Sequence, residues 1–219
     1  MRLPVFPLSV VLFPGTPLPL HIFEPRYRQM LADCLAGDRR FGLTPAGEDQ
    51  EAPDPGMVGC IAEIRVNQEL PDGRANIVVL GRERFVVDAL LDEDVPYHIA
   101  SVRPFDDDPA TLPPPERTAA LREAFGAYAA LIRELSDAEP SDPELPEAPV
   151  ALSFHVAAAI EVEVRIKQRL LVERSTARRV EALMLVLPAL TAAAERALAV
   201  HRRAHTNGRG HRPPVLPAS

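Results

Sequence analysis

The chain has 219 residues, which fits one large domain or two small, closely packed ones, and its 47% hydrophobic content is ample for a core. Its net charge of −7 disfavours contact with a phosphate backbone, except where arginines are locally concentrated. No apolar run approaches the ~20 residues of a membrane-spanning helix, and prolines interrupt residues 1–7, so we expect a soluble protein that is not exported.

The first half of the chain has strand patterns separated by turns, with one helix inserted. Alternation over residues 58–66 predicts a strand with one buried face, and turn residues at 70–73 lead to a hairpin partner at 77–80. Residues 84–89 and 97–105 predict two more strands. Because no helix separates these strands, we expect an antiparallel meander or a small barrel rather than a parallel sheet.

The inserted helix is predicted to begin at Pro25 and to end at Gly37. Proline at the first helical position loses no hydrogen bond, and Glu24 before it complements the positive end of the helix dipole. Apolar residues then follow at helical spacing, which predicts one face buried against the strands. That face comprises Tyr27, Met30, Leu31, Cys34 and Leu35.

Helical patterns replace strand patterns after an Asp- and Pro-rich boundary at 106–115. Helices are predicted at about 116–136, 150–162 and 164–172, followed by a long helix that Ser175 caps and that Pro188 kinks or breaks. The chain thus divides into a β-rich unit at 1–108, a helical subdomain at 109–200 and a disordered basic tail at 201–219.

Cys34 and Cys60 are the only cysteines, and no Cys-x-x-Cys pair is present to hold zinc or exchange disulfides. This pattern is typical of a reducing cytoplasm. His201 and His205 are four residues apart, but the arginines around them favour a solvated basic segment over a metal site. We therefore expect no metal site and no cofactor.

Three sequence blocks near the N-terminus stand in a specific order. They are Leu-Pro-Val-Phe-Pro-Leu at 3–8, Val-Leu-Phe-Pro-Gly at 11–15 and Leu-Pro-Leu-His-Ile-Phe-Glu-Pro-Arg-Tyr at 18–27. With Leu-Pro-Asp-Gly-Arg at 70–74, Gly-Arg-Glu-Arg-Phe at 81–85 and Lys-Gln-Arg-Leu-Leu at 167–171, they resemble the LON substrate-binding domain over residues 2–190. The resemblance implies an α+β fold: a β-rich, PUA-like pseudo-barrel with one inserted helix, followed by a C-terminal helical subdomain.

The same resemblance implies a module that engages unfolded or tagged polypeptide segments, as this region does in Lon proteases. It would act as an adaptor or chaperone-like binder beside a separate ATP-dependent protease or chaperone, without contact with a membrane. No glycine precedes a lysine, as a phosphate-binding loop requires, and Lys167, the only lysine, lies in the helical motif instead of a Ser–Lys peptidase pair. We therefore expect no catalytic residue and no enzyme activity.

RNA binding through the PUA-like barrel is the alternative. It requires a clustered arginine face with stacking aromatic residues, and the acidic composition with three tyrosines and no tryptophan disfavours it. A small-molecule enzyme has no supporting residue constellation.

Candidate binding residues lie around the start of the inserted helix. Charged residues off its buried face should reach solvent, where they complement the helix dipole or contact a ligand. Three apolar residues, Phe13, Leu18 and Phe23, pose a choice between core and binding patch, and core packing is favoured for each. His21 is expected to be a hydrogen-bonded structural histidine. We assign substrate binding to Glu24, Arg26, Arg28, Phe13 and Leu18.

Overall fold

The computed structural model describes residues 1–46, 52–136 and 144–207, with side chains described through Arg203. The elements in chain order are β1 (Arg2–Leu8), β2 (Pro17–Ile22), α1 (Pro25–Ala36), β3 (Arg40–Pro45), β4 (Val58–Glu69), β5 (Ala75–Leu91), β6 (His98–Pro104), α2 (Pro115–Leu135), α3 (Pro149–Ala159), α4 (Val164–Val172) and α5 (Thr176–Asn207).

The strands of the described part of the chain form one six-stranded sheet in the order β2-β5-β4-β3-β1-β6, and an additional β5–β6 pairing closes five of them into a barrel. Closure depends on β5, whose 17 residues pair with β2 and β4 near one end and with β6 near the other. The strand β2 is attached along β5 alone and has a free edge. The predicted α+β fold, a pseudo-barrel with one inserted helix followed by helices, is confirmed.

The sheet is mixed, because β1 and β3 are parallel, with Val5 opposite Gly42. The expected all-antiparallel arrangement is therefore wrong at this pair. The chain between the two strands contains β2 and α1, which provides the long crossover that a parallel pair needs. The two strands predicted at 77–80 and 84–89 are one strand, β5, which passes through Gly81. A Cβ there would lie 2.0 Å from the carbonyl oxygen of Phe13, so glycine allows a close approach without ending the strand.

The barrel interior is filled by the ring of Phe85, which is buried among Leu3, Ile61 and Val102. A Cβ at Gly42 would lie 2.6 Å from that ring, so the absence of a side chain at this position makes room for it. The other face of these strands carries a second apolar cluster, which α1 covers through the predicted residues Tyr27, Met30, Leu31 and Cys34.

The helical half agrees with its local sequence signals. The hydroxyl of Ser175 accepts a hydrogen bond from the amide of Arg178 at 3.2 Å, so the predicted cap of α5 is confirmed. Pro188 does not break α5, which continues to Asn207, beyond the predicted start of the tail at 201. Burial of Leu187 and Ala194 in the core of the helical half stabilises α5 on both sides of the proline. The remainder of the predicted tail, 208–219, lies outside the described residues.

One stretch of α5 reaches a mean hydropathy of 1.7 and is long and apolar enough to cross a membrane by length and composition alone. Its alanines make it more apolar than we expected from the sequence. The stretch is 22% buried, and its residues Val180, Leu183, Leu187 and Ala194 belong to the core of the helical half. A single such helix is weak evidence for a span, because core helices pass the same test.

A buried charged cluster joins the barrel to the helices. It consists of Arg84 on β5, Asp107 after β6 and Arg179 on α5, and is called the arginine cluster below. The fully buried guanidinium of Arg179 donates to both carboxylate oxygens of Asp107, at 2.7 and 3.1 Å. It also donates to the Ser153 hydroxyl at 2.8 Å and to the Glu173 carbonyl at 2.7 Å.

The second arginine of the cluster binds the same carboxylate from the barrel side. Arg84 donates to Asp107 and to the carbonyl oxygens of Leu171 and Glu173, at the C-terminal end of α4. Burial lowers the pKa of Arg84, although the charge of Asp107 opposes this effect. Both guanidinium groups lie against the ring of Phe154, at 5.1 Å for Arg84 and 3.8 Å for Arg179. The cluster thus links β5 and the segment after β6 to α4 and α5.

Candidate functional site

Apolar side chains are exposed on the outward face of the sheet formed by β2, β5 and β4. Strand register places Pro19, Val78 and Val66 in one row across the three strands. The side chains of Phe23 and Val66 are 58% and 52% exposed. Phe23 follows β2 and lies beyond His21, whereas Val66 lies in the row of Pro19. Exposed large apolar residues grouped on one face of a sheet are candidates for an interaction surface.

A second row beside the first is polar. It consists of His21, Asn76 and Gln68, and Nδ1 of His21 lies 2.8 Å from Oδ1 of Asn76. The imidazole also stacks on the ring of Phe23, with centroids 6.0 Å apart. His21 is thus hydrogen-bonded as expected, on the surface.

The two rows line a shallow groove of about 360 Å³. Its walls are mainly apolar, and the polar row lies along one side. We call the surface made by Pro19, His21, Phe23, Val66 and Val78 the sheet patch.

The free edge of β2 is poorly suited to adding another strand. Gly81 donates to the carbonyl of Thr16 at 2.9 Å, which fixes the alternation of hydrogen bonds along the pair. By that alternation, Pro17, Pro19 and His21 direct their backbone groups toward the free edge. Because proline has no N–H, the edge lacks two donors. A ligand of the sheet patch would therefore contact side chains on its face.

Glu24 and Arg26 follow Phe23 directly and lie at the border of the sheet patch. Nε of Arg26 lies 3.0 Å from Oε2 of Glu24, and the guanidinium stands 4.7 Å from the centroid of the Tyr27 ring. Both side chains are about one-third exposed or more, so a ligand that reaches Phe23 can also contact them. The structure brings these two predicted residues together.

The first turn of α1 offers fewer free amides than its sequence suggests. The amides of Tyr27 and Arg28 both donate to the carbonyl of Glu24, at 3.1 and 2.9 Å. Pro25 has no amide hydrogen, so Arg26 supplies the remaining first-turn N–H. At the border of the sheet patch, charge therefore comes mainly from the side chains and less from the backbone amides of α1.

The other predicted residues lie elsewhere. Arg28 is exposed but turns to the β4–β5 connection, where its guanidinium packs against Gly73 in a groove of about 470 Å³. Phe13 is fully buried, with its ring 6.1 Å from that of Phe154, so it is not available to a ligand. Leu18 is half-buried and lines a separate cleft between the barrel and the helices.

None of the five residues of the sheet patch was assigned to substrate binding from the sequence. Phe23 was expected in the core, but its position two residues after His21 places it on the exposed face of an alternating segment. Val66 and Val78 are ordinary strand residues, and only the pairing of β4 and β5 reveals that they lie next to Pro19.

A family model described as the ATP-dependent protease La (LON) substrate-binding domain matches residues 2–188. The chain is 29% identical over 189 residues to the Lon protease of Cytophaga hutchinsonii, a match that covers 80% of the chain and 23% of that protein. It is also 29% identical over 180 residues to Lon protease 1 of Herpetosiphon aurantiacus, covering 77% of the chain and 22% of the relative. The chain therefore spans less than a quarter of these relatives.

Two solved structures have the same fold. The Lon N-terminal domain protein from Xanthomonas campestris is 23% identical with a TM-score of 0.63, and the match covers 84% of this chain and 98% of that one. The N-terminal domain of Mycobacterium avium complex Lon protease is 20% identical with a TM-score of 0.63, covering 88% and 98%.

Proposed function

The chain belongs to the LON substrate-binding domain family, and from that premise we propose that it is a noncatalytic module that binds polypeptide segments through the sheet patch. A bound polypeptide is called a client below. The matched family is defined by substrate binding, and the matched region excludes the remaining three-quarters of the Lon proteases that it resembles.

The exposure of Phe23 and of Val66, on either side of the polar row, is the observation that carries the proposal. Covering a large apolar side chain contributes on the order of 1.5–3 kcal/mol, and the part of Phe23 that is still exposed can supply roughly half of that. A few such contacts give modest affinity, since a client must lose chain entropy when it binds. Modest affinity suits a module that passes clients on.

Charged groups at the border would select among apolar segments. Glu24 and Arg26 carry opposite charges next to Phe23, so clients with polar or charged residues beside an apolar one gain additional hydrogen bonds. Because the β2 edge lacks two donors, side-chain contacts dominate over strand addition. The client need not adopt one fixed backbone register.

A partner protease or chaperone is the second part of the proposal. The Lon proteases that the chain resembles are more than four times longer than the matched region, and we propose that a separate ATP-dependent protein acts on the clients that this module binds. The buried, unpaired thiols of Cys34 and Cys60 suit a reducing cytoplasm as the place where this occurs.

The sheet patch is tested by the double variant Phe23→Ser/Val66→Ser. Fluorescence anisotropy would measure binding to a labelled, reduced and carboxymethylated lactalbumin, which stays unfolded in buffer. We expect affinity to fall by about tenfold or more, because both main apolar contacts are lost. Thermal unfolding should change little, since both side chains are already more than half exposed.

Leu185→Ser is the matched control, because Leu185 is 80% exposed on α5 and lies outside the sheet patch. It should bind the client as the parent does. A folded double variant with unchanged affinity would exclude the sheet patch. Displacement of the client by a single-stranded RNA oligonucleotide would instead favour RNA binding.

A further inference from the structure

Lys167 lies in a cleft where the barrel meets the helices. The cleft has a volume of about 240 Å³, and apolar side chains from the β1–β2 connection, β2, and the α3–α4 region form most of its walls. Val10 and Val164 are each 39% exposed, whereas Leu18 is half-buried. We call this site, made by Val10, Leu18, Val162, Val164 and Lys167, the junction cleft.

The ammonium of Lys167 is only partly satisfied. Nζ donates to the carbonyl of Ala158 at 2.8 Å, but an ammonium group has three donors. Within the described ranges it forms no ion pair, and Glu161 attracts it only from a longer distance. Burial lowers the pKa of Lys167, which reports the cost of holding this charge away from water. A carboxylate in the cleft would offset that cost.

The start of α4 lies in the wall of the cleft. Val164, the first residue of this nine-residue helix, is part of that wall. The amides of Ile166 and Lys167 donate to the carbonyl of Glu163 at 2.9 and 3.1 Å, so the positive charge of the cleft comes from the Lys167 side chain. The neighbouring carboxylate of Glu163 forms an ion pair with Arg165, and is not paired with Lys167. The cleft thus combines apolar walls with the ammonium group of Lys167.

We propose that the junction cleft binds the free C-terminus of a client that ends in an apolar residue. The terminal carboxylate would accept hydrogen bonds from Lys167, and the terminal side chain would pack between Val10, Leu18 and Val164. In such a residue, the carboxylate and the apolar side chain are attached to the same Cα atom. They can therefore contact the Lys167 ammonium and the adjacent apolar wall at the same time. A cavity of ~150 Å³ holds benzene, so the cleft has room for a leucine-sized side chain and a carboxylate.

This inference rests on the proposed function and specifies which part of a client is recognised. Leu18 lies on the face of β2 opposite Pro19, so the junction cleft and the sheet patch are on opposite faces of one strand. A C-terminus in the cleft and an internal segment on the patch are therefore separate contacts. Each can be removed without the other.

The only lysine provides a direct readout. Acetylation by an N-hydroxysuccinimide ester at Lys167 would be followed by mass spectrometry, with the amine of Met1 as an internal reference. The probe is an acetylated heptapeptide ending in Ala-Ala-Leu with a free carboxylate, and its control is the same peptide with a C-terminal amide. At about four times the peptide's Kd, the free acid should slow acetylation of Lys167 roughly fivefold. The amide should have little effect, and equal protection by both peptides would overturn the inference.

Lys167→Met tests the charge while keeping the length of the side chain. Affinity for the free-acid peptide should fall to that of the amide, whereas binding of the unfolded lactalbumin to the sheet patch should persist. If this variant fails to fold because Ala158 loses its donor, Val164→Asp places a carboxylate at the mouth of the cleft and should repel the free acid alone. Free-acid binding that survives in a folded variant of either kind contradicts the inference.

Two further results separate the possible failures. Phe23→Ser/Val66→Ser should leave the protection of Lys167 unchanged, so loss of patch binding with intact protection would affect only the role of the patch. Octanoate shares the apolar and carboxylate chemistry but lacks a peptide bond. If octanoate protects Lys167 at a lower concentration than the peptide does, the cleft is a site for small carboxylic acids and the proposed occupant is wrong.

Discussion

The arginine cluster places charged groups in the protein interior, whereas the sheet patch places apolar side chains on the surface. In the cluster, Arg179 is fully buried, but Asp107, Ser153 and a backbone carbonyl satisfy it. In the patch, Phe23 and Val66 are more than half exposed, although the imidazole of His21 stacks on the Phe23 ring. A buried charged residue whose partners lie in the same molecule has a structural role. An exposed apolar residue that the same molecule leaves uncovered indicates an external binding partner.

The largest expected effect is loss of the carboxylate at the centre of the cluster. Asp107→Ala leaves two buried guanidinium groups with carbonyl and hydroxyl partners only. Removing one member of a buried ion pair costs about 3–5 kcal/mol, and we expect a loss of that size in the free energy of unfolding. Urea unfolding followed by circular dichroism would measure it.

Arg117→Ala is the control for that experiment, because Arg117 and Glu181 form an exposed ion pair that also joins α5 to a neighbouring helix. We expect no measurable change in stability, since exposed pairs contribute little. If both variants lose the same stability, the cluster contributes no more than an exposed ion pair.

The two buried thiols give the next test. Cys60 lies on β4, and burial raises its pKa to about 12 from an ordinary 9.0. Burial also raises the pKa of Cys34, on α1, to about 12. The unfolded chain would therefore lose thiol protons near pH 9 while the folded chain keeps them. The contribution of the protonated thiols to the free energy of unfolding is complete below pH 9 and is lost as the pH rises toward 12.

We expect the free energy of unfolding to fall between pH 8.5 and 10, measured by urea unfolding with a reducing agent present. A Cys34→Ala/Cys60→Ala variant should be less stable overall but less dependent on pH in this range. An identical pH dependence in the variant would show that other groups titrate instead.

The smallest expected change in stability concerns the border of the patch. Glu24→Ala/Arg26→Ala should alter the free energy of unfolding by no more than about 1 kcal/mol, because the pair is largely exposed at a helix start. Binding to the unfolded client should weaken severalfold. Arg28→Ala is the matched control, as Arg28 faces the groove beside Gly73, and it should bind normally. If the parent, the double variant and Arg28→Ala all bind the client equally well, Glu24 and Arg26 are surface charges with no role in binding.

Features encoded by neighbouring residues could be predicted from the sequence. Pro25 and Gly37 bound α1, and Ser175 caps α5, because each acts through backbone groups a few residues away. The parallel β1–β3 pair could not be predicted in this way. It depends on a crossover whose endpoint is set by pairing with the rest of the sheet.

The candidate site followed the same division. Glu24 and Arg26 could be placed at the helix start from local signals, whereas Val66 joined the site only through its register with Val78. The arginine cluster was not predicted at all, because Asp107 and Arg179 are 72 residues apart and the pattern of either segment alone gives no sign of the other.

The closure of the barrel has a consequence for the order in which the molecule folds. Arg2 pairs with Ser101, so β1 cannot complete its contacts until nearly the whole first half of the chain is available. Pairings between such distant segments are slow to form, since a large loop must close before any contact repays the entropy. During synthesis, the edge of β1 that pairs with β6 would stay unpaired while β3, β4 and β5 emerge, until β6 follows. For that interval the sheet is incomplete, and an unpaired strand edge is open to pairing with another chain.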